Sequence, residues 1–311
     1  MAEKVATRVA YGTALAEIGA DENIVVLDAD LSKSTRTDLF KKKYPDRHIN
    51  MGIAEGNMMA VAAGLASCGK TVFASTFAIF ASGRAFDQVR NSICYPNLNV
   101  KIGATHAGIT VGEDGASHQA IEDMALMRSI PNMTVISPAD AVSTAALVKL
   151  AAKLKGPVYL RLGRLDVPVI YDENTVFEIG KGATVRDGND VAIIATGMML
   201  DIALTAANQL NEQGISARVI DIHTIKPIDE ALIAKAARET GAIVTCEEHN
   251  IIGGLGSAVA EVVVKNHPVP MAMVGVEDKF GKSGKPADLM IKYGLTSENI
   301  VKKTKELLLR K

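Results

Sequence analysis

The chain of 311 residues has no tryptophan, and its seven phenylalanines and six tyrosines make aromatics only 4% of the composition. Cysteine is equally scarce: Cys68, Cys94 and Cys246 stand far apart, two of them in apolar surroundings. That spacing gives no disulfide framework and fits buried, reduced thiols in a reducing compartment. An excess of one charge is also missing, since 34 Lys and Arg against 35 Asp and Glu leave a formal charge of -1. This balance argues against a nucleic-acid or polyanion surface as the main business of the chain. No apolar run reaches the length of about 18 residues that a membrane-spanning helix needs. The N-terminal stretch "MAEKVATRVAYG" carries charges where a signal peptide has its apolar core. What remains is the profile of a cytoplasmic globular protein, 48% hydrophobic and 22% charged, long enough for two domains with a core each.

Short β-rich runs alternate with longer amphipathic ones. "IVVLDAD" (24–30), "TVFAST" (71–76), "NVKIGAT" (99–105), "MTVISP" (133–138) and "PVYLRLG" (157–163) read as buried strands, and the segments between them carry apolar residues at helical spacing. Alternation of this kind predicts a mostly parallel sheet covered by helices on both faces, an α/β fold. The rhythm breaks in a Pro-, Gly- and acid-rich stretch after residue 165, then restarts with strands at 191–197, 217–222, 242–247 and 271–276 and helices over 199–213, 229–239 and 255–265. Two three-layer α/β domains are therefore expected, at 1–165 and 185–311, with 166–184 as linker.

In open parallel sheets, ligands bind at the carboxyl ends of the strands. Five segments near such ends in the first half are unusual. Between Arg47 and Lys70 the only Asp, Glu, Lys or Arg is Glu55, at the head of the apolar run "GNMMAVAAGLA". A carboxylate buried there without a cation is pushed toward its protonated form, so it is either satisfied locally or used as an acid. The loop "THAGITVGEDGASHQ" (105–119) gathers His106, Glu113, Asp114 and His118 among glycines. It lacks the local spacing of known zinc motifs and reads as a polar clamp for a hydroxylated substrate, with no metal ligand assigned. "DADLSKST" (28–35) clusters Asp30, Ser32, Ser34 and Thr35, part of which is ordinary helix capping. Arg8 and the strand-end pair Arg161 and Arg164 offer cations for a phosphate. In a chain poor in aromatics, Phe77, Phe80 and Phe86 fall within ten residues, either as a core stripe or as a stacking platform for a planar ring. "NIIGGLGSAVAEVV" (250–263) fails the dinucleotide fingerprint at its third glycine, where Val259 stands, and reads as a tight turn before a helix.

Taken together and in order, "ATR", "DADLSKS", "GIAEGNM", "TFAIF", "THAGITVGEDGASHQ" and the second arginine of "LRLGR" resemble the pyrimidine-binding and C-terminal domains of thiamine-diphosphate enzymes of the transketolase type. The resemblance runs over essentially the whole chain. It implies transfer of a two-carbon glycolaldehyde unit from a ketose phosphate to an aldose phosphate. Glu55 would hydrogen-bond N1′ of the cofactor's aminopyrimidine, Phe77 and Phe80 would pack on that ring, and Asp30 and Leu31 would lie beside it. His106, Asp114 and His118 would contact sugar hydroxyls, with His118 near the donor's reacting oxygens. Arg8, Ser34, His106 and Arg164 would bind the sugar phosphate. The family's third platform aromatic falls on Gly83, with Phe86 a candidate replacement.

A second departure is larger. The Gly-Asp-Gly and downstream Asn with which the family holds diphosphate and Mg2+ have no counterpart, because "EDG" (113–115) and "RDGND" (186–190) lack the order and the surroundings. Residue 1 falls where that domain would have ended. The resemblance thus implies half of a split transketolase, with the diphosphate half on a second polypeptide and an α2β2 heterotetramer as the assembly. The nearest competitor is the same fold with other chemistry, a 2-oxo-acid dehydrogenase β subunit or a deoxyxylulose-phosphate synthase, to which "IKPIDEALIAKAARETGAIVTCEEHNIIGGLGSAVAE" is equally similar. The histidine and Gly-Glu-Asp-Gly of the 105–119 loop favour transketolase. A non-catalytic assembly paralogue is the alternative of another class, opposed by Glu55, His106 and His118 standing together.

Overall fold

A computed structural model describes residues 3–311. Its first sheet has seven strands in the order His48–Asn50, Ile24–Asp28, Thr71–Phe77, Val100–Thr105, Val158–Arg161, Thr134–Ile136 and Thr224–Lys226. The first six are parallel, and the apolar runs of the inner ones are buried on both faces, while the edge strand His48–Asn50 leaves Ile49 exposed. The seventh runs antiparallel and comes from the second half of the chain. The alternation in the sequence did not place it there, because three residues carry no periodicity of their own.

Helices Thr7–Ile18 and Ala141–Lys153 cover one face around Tyr11, Leu15, Phe73 and Leu147. Helix Glu55–Ser67 covers the other, where Met58, Met59, Ala62 and Ala66 are buried. The stretch "FASGRAFDQVRNSICY" departs from a plain α-helix: Phe80–Arg84 and Gln88–Cys94 are π-helical. Each π turn inserts an extra residue and rotates the side chains beyond it, a feature frequent near functional sites.

The second sheet has the order Met271–Val276, Ile243–Asn250, Val191–Ala195, Ala217–Asp221 and Ala183–Arg186, with only the last strand antiparallel. Helices Met199–Asn211 and Ser297–Leu308 pack on one face, Glu230–Thr240 and Leu255–Asn266 on the other. The latter pair share one continuous core with the helix that begins at Glu55. A further two-stranded pair joins Lys4–Ala6 to Asp166–Pro168. No helix among the described residues is long and apolar enough to cross a membrane.

Candidate active site

Parallel register puts the carboxyl ends of the first sheet's strands side by side: Asp28 pairs with Asn50 and Ser75, Phe77 with Thr105, and Ala104 with Arg161. The loops leaving these ends carry most of the residues that the sequence singles out. Asp28 is buried and accepts from Leu31 N at 2.5 Å, Thr35 Oγ1 at 2.6 Å and Thr37 Oγ1 at 3.0 Å, which folds the 30–37 segment around one carboxylate. Desolvation raises the Asp28 pKa, and these three donors oppose the rise. Asp30 takes a left-handed backbone, φ 63°, and exchanges hydrogen bonds with Asn50, whose Oδ1 also accepts from Gly52 N. Asn50 thereby ties the loop after one strand to the turn that delivers Glu55.

Glu55 is the first residue of its helix, where the free N–H groups of the helix end favour a negative charge. Its side chain is 1% exposed, and the expectation of a carboxylate without a cation is overturned. Arg84 Nη1 lies 3.0 Å from both Glu55 oxygens. The same guanidinium sits over Phe80, with Cζ 4.3 Å from the ring centroid, and the two residues are the first and last of the π turn Phe80–Arg84. Twenty-nine residues separate Arg84 from Glu55, so nothing local in the sequence signals the pairing.

Phe77 and Phe80 stack on each other, near-parallel at 12° with centroids 5.9 Å apart. His106 stacks on Phe77 at 3.9 Å, and His118 stands edge-on to Phe80 at 5.4 Å. Phe86 does not complete the platform: it packs against the core beneath, and a side chain at Gly83 would meet open space. His106 is buried with φ 57° and Nδ1 3.0 Å from Thr105 Oγ1. Burial, then Arg8, Arg164 and His118, lower its pKa to about 3. Burial thus favours the neutral imidazole, which suits His106 to hydrogen bonding.

A cationic cluster lies across the loop. Arg8 donates Nη1 to the Ser34 carbonyl at 2.8 Å and Nε to the Arg164 carbonyl at 3.3 Å. Arg164 in turn donates to the Val111 carbonyl and lies 3.7 Å from Asp114. The Arg8 pKa is lowered by desolvation and by its neighbours Arg36 and Arg164. Guanidiniums held together against their repulsion suit an anion. Arg161 is not part of this cluster: it is buried behind the loop, with Nε bonded to both Asp123 oxygens at 3.1 and 2.9 Å and Nη2 to the Glu248 carbonyl at 2.8 Å. Glu248, from the second half, accepts from Thr110 N at 2.8 Å, and a side chain on Gly108 would collide with its carboxylate. Among the described residues, no three His, Cys, Asp or Glu side chains converge as a metal site.

Residues 3–169 match the family of the transketolase pyrimidine-binding domain and residues 180–300 that of the transketolase C-terminal domain. The chain belongs to the transketolase family. A chain of Methanocaldococcus jannaschii, assigned as a transketolase C-terminal section, is 53% identical, over 96% of this chain and 95% of its own length. A 6-deoxy-6-sulfo-D-fructose transketolase subunit of Clostridium sp. MSTE9 is 45% identical over 94% of this chain and 90% of that one. The solved structure of a split-gene transketolase in an inactive β4 tetramer superposes with a TM-score of 0.92 at 56% identity, covering 98% of this chain and 99% of that one. Rat transketolase, 43% identical over 98% of this chain, is matched over only 49% of its length.

In this transketolase chain the structure brings Glu55, Phe77, Phe80, His106 and His118 to one face, and Arg8, Ser34, Asp114 and Arg164 to the adjoining one. Asp30 and Leu31 begin the segment between the two strand ends nearest Glu55. Arg84, Asn50 and Glu248 escaped the sequence reading, since each acts on a site residue distant along the chain. Substituting Glu248→Ala removes the acceptor for Thr110 N–H and is expected to cost about 1–3 kcal/mol of stability. Thermal denaturation reads that loss, and an unchanged melting temperature contradicts it.

Proposed function

We propose that this chain provides the pyrimidine-facing half of a two-chain transketolase, with ketose and aldose phosphates as substrates. The observation that carries the reading is a buried carboxylate at a helix N-terminus whose partner stacks on the Phe77–Phe80 platform, beside an arginine cluster fit for a phosphate. A carboxylate at the edge of an aromatic face suits an aminopyrimidine, so the residues present fit that part of thiamine diphosphate. When bound, this cofactor supplies the electron sink for cleaving a carbon–carbon bond next to a ketone. Glu55 would hold a proton at ring nitrogen N1′, while Phe77 and Phe80 fix the plane of the ring. His118, half-buried at the loop's rim, would serve the donor's oxygens, and neutral His106 would orient a hydroxyl. Arg8, Ser34 and Arg164 would hold the terminal phosphate, with Asp114 steadying Arg164.

The face opens to solvent, with Ile53 beside Glu55 76% exposed. A second polypeptide bearing the diphosphate and Mg2+ ligands would cover it in an α2β2 heterotetramer, serving pentose phosphate interconversion in the cytoplasm. Glu55 cannot serve the ring while Arg84 spans its two oxygens. Arg84 is 52% exposed and can swing into water. Arg84→Ala is accordingly expected to raise cofactor affinity of the assembled enzyme about three- to tenfold. It should lower the stability of the free chain by about 1–2 kcal/mol, less than for a fully buried pair because Arg84 is half in solvent. Weaker cofactor binding by this variant contradicts the displacement.

Presenting the assembled enzyme with ketose phosphate plus aldose phosphate, and separately with pyruvate, tests the reaction class. The proposal expects glycolaldehyde transfer; decarboxylation of pyruvate without transfer overturns it.

A further inference from the structure

Arg36 takes no part in the contacts assigned to cofactor or substrate, yet its placement is unusual. It comes directly after the short turn Ser32–Thr35 that carries Ser34, and it holds a left-handed backbone, φ 67° and ψ 13°. Non-glycine residues adopt that conformation at a cost and keep it only where the surroundings enforce it. Here they do: Thr35 and Thr37, on either side, are buried and both donate to the buried Asp28. The residue between them is turned away from that carboxylate and onto helix Thr7–Ile18. The contact is made at Gly12, where a Cβ would collide with the Arg36 carbonyl and Cβ. Gly12 lies four residues after Arg8, on the same face of the helix one turn along. A glycine there makes room for Arg36 beside Arg8.

The Arg36 side chain is half-buried, and its Nε is shielded from solvent without a hydrogen-bond partner. No ion pair to Arg36 occurs among the described residues, whereas Arg164 has Asp114. Arg36 is close enough to lower the Arg8 pKa more than Arg164 does, and Asp166 is the carboxylate that opposes them. A guanidinium with an unsatisfied buried donor, held by a strained backbone close to the like charge of Arg8, is stabilised when an anion binds between them.

We propose that Arg36 is a third guanidinium of the site for the sugar's terminal anion, and that it favours a phosphate monoester over a sulfonate. A phosphate monoester carries about two negative charges near neutral pH, against a single charge on a sulfonate, so the third cation gains more from the former. This rests on the transketolase reading for the identity of the sugar, but the anion site itself does not.

Arg36→Gly is the informative variant, because glycine keeps the left-handed backbone without a Cβ and removes only the side chain. In the complex with the diphosphate-binding partner, it is expected to raise KM for a ketose phosphate about tenfold. KM for the matching sulfonate should rise about threefold and that for the uncharged ketose not at all, with kcat within threefold throughout. Arg36→Lys should recover part of the loss. The full chain alone is titrated with inorganic phosphate in parallel: wild type should bind at least fivefold more tightly than Arg36→Gly, and the difference should shrink with added salt. Equal KM changes for charged and uncharged ketoses, or equal phosphate binding by the two proteins, overturn the proposal. A wild-type complex that transfers no glycolaldehyde defeats the functional reading instead, and the phosphate titration still decides for or against Arg36.

Discussion

Glu55→Gln in the assembled two-chain enzyme is expected to lower kcat by at least about 10²-fold, the range in which a positioned general acid or base contributes. Glutamine has the shape of glutamate and keeps one oxygen for Arg84, so the helix Glu55–Ser67 and the Met58–Met59 core behind it should stay in place. What is lost, in the proposed role, is the carboxyl proton offered to N1′. Assembly with the partner should be unchanged by sedimentation, and KM for the ketose phosphate should move little, because the arginine cluster lies on the adjoining face. A near-wild-type rate for this variant removes Glu55 from the chemistry, whatever its burial.

Arg8→Ala should have the second-largest effect, concentrated in KM. Arg8 is the hub of the cationic cluster: one nitrogen holds the Ser34 carbonyl at 2.8 Å and another the Arg164 carbonyl at 3.3 Å. Removing it loosens both neighbours and, in the proposed role, deletes a charged donor to the phosphate. A hydrogen bond to a charged group is worth about 1.5–3 kcal/mol, which corresponds to a rise in KM of roughly 10- to 100-fold. Steady-state kinetics with phosphorylated and unphosphorylated ketoses read the effect, which should vanish for the unphosphorylated sugar. An equal loss for both sugars means that Arg8 supports the fold of the loop rather than the anion.

The parallel sheets were legible because strands buried on both faces leave apolar runs that alternate with helical periodicity, and each half of the chain repeats that rhythm. The candidate site residues stood out as anomalies in local composition: one carboxylate in an apolar run, phenylalanines in a chain poor in aromatics, histidines in a glycine-rich loop. Partnerships did not. Arg84 reaches Glu55 from the end of a π turn, 29 positions along the chain, and π turns have no periodic signature in sequence. Glu248 reaches Thr110 across 138 residues, and the strand Thr224–Lys226 joins a sheet made by the other half. The neutral state of His106 likewise comes from burial and three cationic or imidazole neighbours that only folding assembles. Arg84 changes the meaning of the lone carboxylate. Glu55 is satisfied in the free chain, and the acid role requires a ring to take the arginine's place.

The central claim is that this chain holds half of an active site. Glycolaldehyde transfer between sugar phosphates, measured with thiamine diphosphate and Mg2+ for the chain alone, for its Gly-Asp-Gly-bearing partner alone and for the mixture, tests it most directly. The account predicts turnover in the mixture and none from either polypeptide alone. Turnover by this chain without a partner contradicts it.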